Sequence, residues 1–233
     1  MQTIDKKSTT VETLADLFRA AFEEWLSGLD MERPALSEQS KKTLAESMRA
    51  SMAWRDSILV SATCSNSSEY DAAKLKGFAF HREHEEWLGR MMSGSLEDET
   101  LGEDRTVCRR AVGMLFDIVE AVEDIDIELQ AQPLAVISYL LWWMGDDRAM
   151  LAAMRAVAID EECSLAAIVI GAVHGGRWPA PGRVGSGGFG AGGVRQGAEP
   201  LGILPVGQSL RAGAGQDRKS TRLNSSHSSV SRM

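Results

Sequence analysis

The chain has 233 residues, with 25 Lys+Arg against 33 Asp+Glu and a formal net charge of −8. That average joins two unlike parts: residues 1–174 carry 17 basic and 31 acidic side chains (17 − 31 = −14), and residues 175–233 carry 8 and 2 (8 − 2 = +6). A −14 segment argues against nucleic acid as a partner. No apolar run reaches the roughly 18–20 residues that cross a bilayer, so no membrane partner is expected either.

Residues 1–8 are polar and read as a flexible N-terminus. From residue 9 the chain is rich in Ala, Leu, Met and Glu and poor in Gly and Pro, as helices require. Thr9 and Glu12 have capping-box spacing. Val11, Leu14, Leu17, Phe18, Ala21, Phe22, Trp25 and Leu26 follow at intervals of three and four, an amphipathic helix that Gly28 would close. Ser37 can cap a second helix reaching about Ala62, with Leu44, Met48, Met52, Arg55 and Leu59 on one stripe. Cys64–Asp71 is polar and reads as a loop. A third helix is expected over Ala72–Met92, with an interruption at Gly77, and Ser93–Asp104 as an acidic connection. Arg105–Asp124 forms a fourth, burying Val107, Ala111, Met114, Leu115, Ile118, Val119 and Val122. Pro133 suits the first turn of a fifth, where its missing N–H costs nothing, and Gly145 ends it. Asp146 or Asp147 caps a sixth helix, Arg148–Ala158, and Asp160 a seventh, running to about Val173. No segment alternates apolar and polar residues for long, so no sheet is expected.

The fold class that follows is all-α: a bundle of six or seven helices over residues 9–174 with a tetratricopeptide-like C-terminal hairpin, then a disordered tail. Residues 175–216 are glycine-rich and without helical or strand period, read as disordered or as a frame-shifted translation. Asp217–His227, DRKSTRLNSSH, resembles the translation of a short-read sequencing adapter, and Ser231-Arg232-Met233 its continuation. Residues 217–233 are therefore set apart from fold and function.

Pro133–Val173 is the most informative stretch. An apolar helix ends in Trp142-Trp143-Met144-Gly145-Asp146-Asp147, and a helix with Ala149, Ala152, Ala153 and Ala156 follows. Small alanines let helix backs approach closely, and one such hairpin looks tetratricopeptide-like, although a solenoid needs about three units. The same residues resemble the C-terminal region of an actinobacterial group, domain-of-unknown-function family 4192: Pro133, Trp142-Trp143, Gly145-Asp146, the spaced alanines, Ala158–Asp160 and Ser164–Ala166. Upstream, Trp54-Arg55-Asp56 looks like that family's Arg-Asp pair, and Glu86-Trp87-Leu88 like its Trp-containing helix. The departure is Glu161-Glu162-Cys163, where the family has proline and an aromatic. The resemblance implies that a strand-containing N-terminal portion is missing, and it carries over no activity and no catalytic residue.

Candidate interaction residues are Trp54, Arg55, Asp56, Trp142, Trp143 and Asp146. Arg55 and Asp56 are neighbours on a helix and do not face each other, so each is expected to find its own partner. The tryptophans would serve a peptide groove if exposed and a core if buried. His81 and His84, in HREHEE, stand at i, i+3 and are candidates for metal binding from one helix face. The order matches neither H-E-x-x-H nor its reverse. No nucleophile elbow and no phosphate loop is present, so no cofactor and no catalytic residue is expected. Cys64, Cys108 and Cys163 are odd in number and widely spaced, which fits a reducing, cytoplasmic location better than a disulfide framework. The expected function is a non-catalytic helical module that binds another protein or peptide. The alternative is the accessory helical half of an enzyme whose N-terminal part is missing.

Overall fold

The computed structural model describes the backbone of residues 3–183 and the side chains of residues 14–183. Among the described residues the fold is all-α, with no strand. Ten helices follow in order: α1 (Thr3–Asp30), α2 (Glu38–Ala50), α3 (Met52–Thr63), α4 (Ala72–His81), α5 (Glu85–Glu97), α6 (Thr106–Ala121), α7 (Ala131–Trp143), α8 (Ala149–Ile159), α9 (Ser164–His174) and the single turn α10 (Ala180–Arg183). Short 3₁₀ turns at Glu99–Gly102 and Ile127–Gln130 lead into α6 and α7.

The sequence predicts six or seven helices; two of the extra elements come from breaks that periodicity does not mark, and the third is α10, in a stretch read as disordered. The stretch expected to run from Ser37 to Ala62 divides at Ser51, which is extended (φ −147°, ψ 120°). Ser51 closes α2 through its N–H to the Ser47 carbonyl at 2.9 Å and opens α3 by accepting from the Arg55 N–H at 3.1 Å. One extended residue resets the helical phase, so Met52, expected on the buried stripe, is 56% exposed. The second break falls at Arg82–His84 rather than at Gly77, which lies inside α4. Arg82 and His84 both adopt left-handed backbone (φ 55° and 63°), a conformation that costs an L-residue about 1–2 kcal/mol. The Arg82 N–H offsets part of it by capping α4 on the Phe78 carbonyl at 2.9 Å.

Other boundaries shift for similar reasons. α1 starts at Thr3, so its backbone is already helical at Thr9 and through most of residues 1–8. Gly28 does not end it. A Cβ there would stand 2.8 Å from the Met114 sulfur, so this glycine lets α1 lie close on α6. The α1–α2 corner is held by Glu24, whose carboxylate accepts from the Ser37 N–H at 2.5 Å, the Ser37 hydroxyl at 2.9 Å and the Ser40 hydroxyl. Ser37 in turn accepts from the Ser40 N–H at 3.2 Å, the expected cap. Asp160 closes α8 and accepts from the Glu162 N–H at 3.0 Å. It organises the turn rather than capping the helix that follows, and α9 begins only at Ser164.

α7 is the central element. Of its 13 residues only Gln132 is not buried, the mark of a helix surrounded on all sides. It packs on α8, α6, α9, α3 and α2. Its closest partner is α8, whose Ala149, Ala152, Ala153 and Ala156 are all buried. Pro133 lies in its first turn, as expected.

Part of residues 175–183, read from composition as disordered, is packed: residues 179–182 are buried, while residues 175–177 are exposed. The Trp142 indole N–H donates to the Arg177 carbonyl at 2.7 Å. Ala180, Pro181 and Gly182 are buried, and Arg105 holds the Pro181 carbonyl at 2.6 Å. Glycine content misleads here because Gly145 and Gly182 are needed for contact between two backbones. A Cβ on Gly145 (φ +75°) would come within 2.1 Å of the Gly182 carbonyl oxygen. The expectations for the rest of 175–216 and for 217–233 lie outside the described residues.

Candidate functional site

The candidate residues on α3 face inward. Trp54 stacks on Phe18 with ring centroids 4.8 Å apart and donates its indole N–H to the Ala79 carbonyl at 2.9 Å. It is a core residue joining α1, α3 and α4. Arg55 and Asp56 are both buried. Contrary to the expectation of separate partners, they pair with each other: Arg55 Nε and Nη2 donate to the same carboxylate oxygen, Asp56 Oδ1, at 2.9 and 2.8 Å. A long guanidinium can fold back over its neighbour although the two Cβ atoms diverge. Arg55 Nη1 also reaches Gln132 Oε1 on α7 at 3.3 Å, and the Gln132 amide leads to the Cys163 sulfur at 3.7 Å. Burial raises the Asp56 carboxyl above its ordinary value of 3.8, against the pull of the Arg55 charge and hydrogen bonds.

The candidates at the α7–α8 turn divide. Trp142 and Trp143 are 2% and 1% exposed, and Trp143 donates to the Ser95 carbonyl of α5 at 2.9 Å. Neither offers a face to a peptide. With Trp25 on the Ser61 hydroxyl and Trp87 on the Glu69 carbonyl, five indoles each tie one element to another. Asp146 is on the surface. Its carboxylate accepts from the Arg148 N–H at 3.0 Å and pairs with the Arg148 guanidinium, Nε to Oδ1 at 2.9 Å and Nη2 to Oδ2 at 2.6 Å. Hydrogen bonds from the Arg148 side chain lower its carboxyl below the ordinary 3.8.

His81 and His84 do not share a helix face. His81 is the last residue of α4 and His84 precedes α5 in left-handed backbone. Among the described residues no three His, Cys, Asp or Glu side chains gather at a spacing that would hold a metal ion. Cys64 and Cys108 are free and buried. Burial pushes the Cys64 thiol up to about 11 and raises that of Cys108, so neither is a ready nucleophile.

The surface feature that remains is a groove between α6 and α8, floored by α7. A broad cleft of about 950 Å³ opens at the α7–α8 turn and continues into an apolar notch of about 170 Å³. The two share Val112, Phe116, Leu141 and Arg148. Phe116 and Leu151 line the notch while remaining 45% and 64% exposed. One end is fixed by Arg105, which donates to the Gly102, Met144 and Pro181 carbonyls at 3.0, 2.5 and 2.6 Å. Phe116 and Leu151 leave a faint signal in the sequence. Phe116 falls outside the buried stripe of α6, and Leu151 lies off the alanine face of α8. An apolar side chain out of phase with its helix is the trace such a surface leaves.

Comparison with family models, with curated proteins and with solved structures returns no match. Among the described residues no helix is long and apolar enough to cross a membrane.

Proposed function

We propose that this helical domain is a non-catalytic protein-interaction module, and that its working surface is the α6–α8 groove rather than the tryptophans. The observation that carries this reading is the pair Phe116 and Leu151, two large apolar side chains left substantially in water on opposite walls of one groove. Isolated exposed apolar residues need no explanation, whereas two converging on a common floor fit a helix-in-groove or extended-peptide site. The α7–α8 pair, with its alanine seam, supports a tetratricopeptide-like hairpin of the family 4192 type as the frame of that site. Three free, buried thiols fit a cytoplasmic setting.

Selection of phage-displayed random peptides on the whole chain tests this, with counter-selection on the double variant Phe116→Asp/Leu151→Asp. Both residues are exposed, so the variant keeps its fold, which its melting temperature checks. Peptides that bind the parent and lose at least tenfold in affinity on the variant are expected. A selection that returns no groove-dependent peptide overturns the reading.

A further inference from the structure

The groove carries a charge opposite to that of the domain around it. From residues 1–174 its lining includes four arginines and two aspartates (4 − 2 = +2), inside a segment whose total is −14. The arrangement follows from helical spacing. On α6 and its N-terminal flank, Arg105, Arg109, Val112 and Phe116 stand at i, i+4, i+7 and i+11, one face. Across the groove, Arg148, Leu151 and Arg155 stand at i, i+3 and i+7. Each wall thus presents an apolar residue next to arginine. Arg109 and Arg155 are exposed and form no salt bridge among the described residues, while Asp146 is already neutralised by Arg148. α8 has 11 residues, roughly 16 Å at 1.5 Å per residue, enough to seat about three turns of a helical peptide.

Resting on the interaction reading above, we propose that the occupant is an acidic amphipathic segment of a partner protein. Its apolar side chains enter the floor between Phe116, Leu141 and Leu151, and its carboxylates meet Arg109 and Arg155. Charge complementarity decides this choice. The chain's own residues 184–216, with 2 basic and 1 acidic side chain, have too few carboxylates to meet the arginines. A basic partner would be drawn to the domain as a whole but repelled at the groove.

That opposition makes the test sharp, because the field of the whole domain and the field of the groove favour different peptides. Two fluorescein-labelled amphipathic peptides of about 11 residues, sized by the three turns above, are titrated with the full chain. They share leucine and phenylalanine anchors, and one carries glutamates and the other lysines on the polar face. The glutamate peptide is expected to bind at least tenfold more tightly. Its affinity should fall at least tenfold with Arg109→Glu/Arg155→Glu and also decline with added salt. Tighter or equal binding of the lysine peptide overturns the acidic-segment proposal. If that binding is still lost in Phe116→Asp/Leu151→Asp, the interaction reading stands. Binding of neither peptide overturns the proposal as well, and the phage selection judges the interaction reading separately. Self-association of the chain that Arg109→Glu/Arg155→Glu abolishes would place a second copy in the groove and likewise overturn it.

Discussion

Two arginine–aspartate pairs, each made by residues one or two apart in the chain, sit in opposite surroundings. Arg55–Asp56 on α3 is nearly enclosed, with side chains 10% and 11% exposed. Asp146–Arg148 at the α7–α8 turn is 25% and 75% exposed. Their hydrogen bonds are of similar length, 2.8–2.9 Å in the first and 2.6–3.1 Å in the second. Yet the carboxyls shift in opposite directions. Burial dominates at Asp56 and raises it; the Arg148 hydrogen bonds dominate at Asp146 and lower it. The geometry of an ion pair does not by itself say whether the pair stabilises the fold. What water is removed from it does.

The largest effect is expected where one member of the buried pair is removed. Asp56→Ala leaves the Arg55 charge enclosed without its counterion and should cost about 3–5 kcal/mol, read from denaturant unfolding. Replacing both, Arg55→Met with Asp56→Leu, should recover most of that loss and can end above the parent. A double variant as unstable as the single one would show that the pair does more than neutralise itself.

Next comes Gly145→Ala, beside the exposed pair. The left-handed backbone alone costs a non-glycine residue about 1–2 kcal/mol, and the new Cβ must push the Gly182 backbone away. Faster amide exchange over residues 177–183 is expected with the drop in melting temperature. If exchange there is unchanged, the Arg105 staple and not the glycine contact holds the segment.

The exposed pair should matter less. Asp146→Ala removes both the bond to the Arg148 N–H and the ion pair, and should cost about 1 kcal/mol. Arg148→Ala, which spares the turn bond, should cost less than Asp146→Ala, and less still at high salt. Equal losses in the two would place the energy in the ion pair and not in the turn.

Acid titration offers the finest distinction. Asp56, whose folded value lies above the unfolded one, holds its proton more tightly in the native state. Its contribution therefore grows as pH falls through that raised value and is lost as pH rises through it. Asp146, whose folded value lies below the unfolded one, contributes stability above about pH 3.8 that disappears as pH falls through the lowered value. Comparing the unfolding pH profiles of Asp56→Asn and Asp146→Asn with the parent should give differences of opposite slope. Slopes of one sign would contradict the environments described for the two groups.

Much of this was legible in the chain. Three- and four-residue spacing over Phe18, Phe22 and Trp25, and over Ala111, Met114, Leu115 and Ile118, announced helices and their buried faces. Pro133 placed the start of the central helix, and Gly145-Asp146 marked its turn. These are local signals, because helical period, proline and positive φ act within a few residues. The breaks at Ser51 and at Arg82–His84 carried no glycine or proline and could not be read.

The remainder was decided by tertiary structure, because its partners come from far along the chain. Trp143 is satisfied by a carbonyl 48 residues away and Arg105 by one 76 residues away. No spacing rule reveals that an indole is spent as a staple and not offered to a ligand. Packing likewise folded Arg55 onto its own neighbour, with Gln132 of α7 set against it, and brought Phe116 and Leu151 to one groove. Sequence alone fixed which residues are apolar and how they repeat. Which of them stay in water, and what charge surrounds them, depended on which helices came to lie side by side.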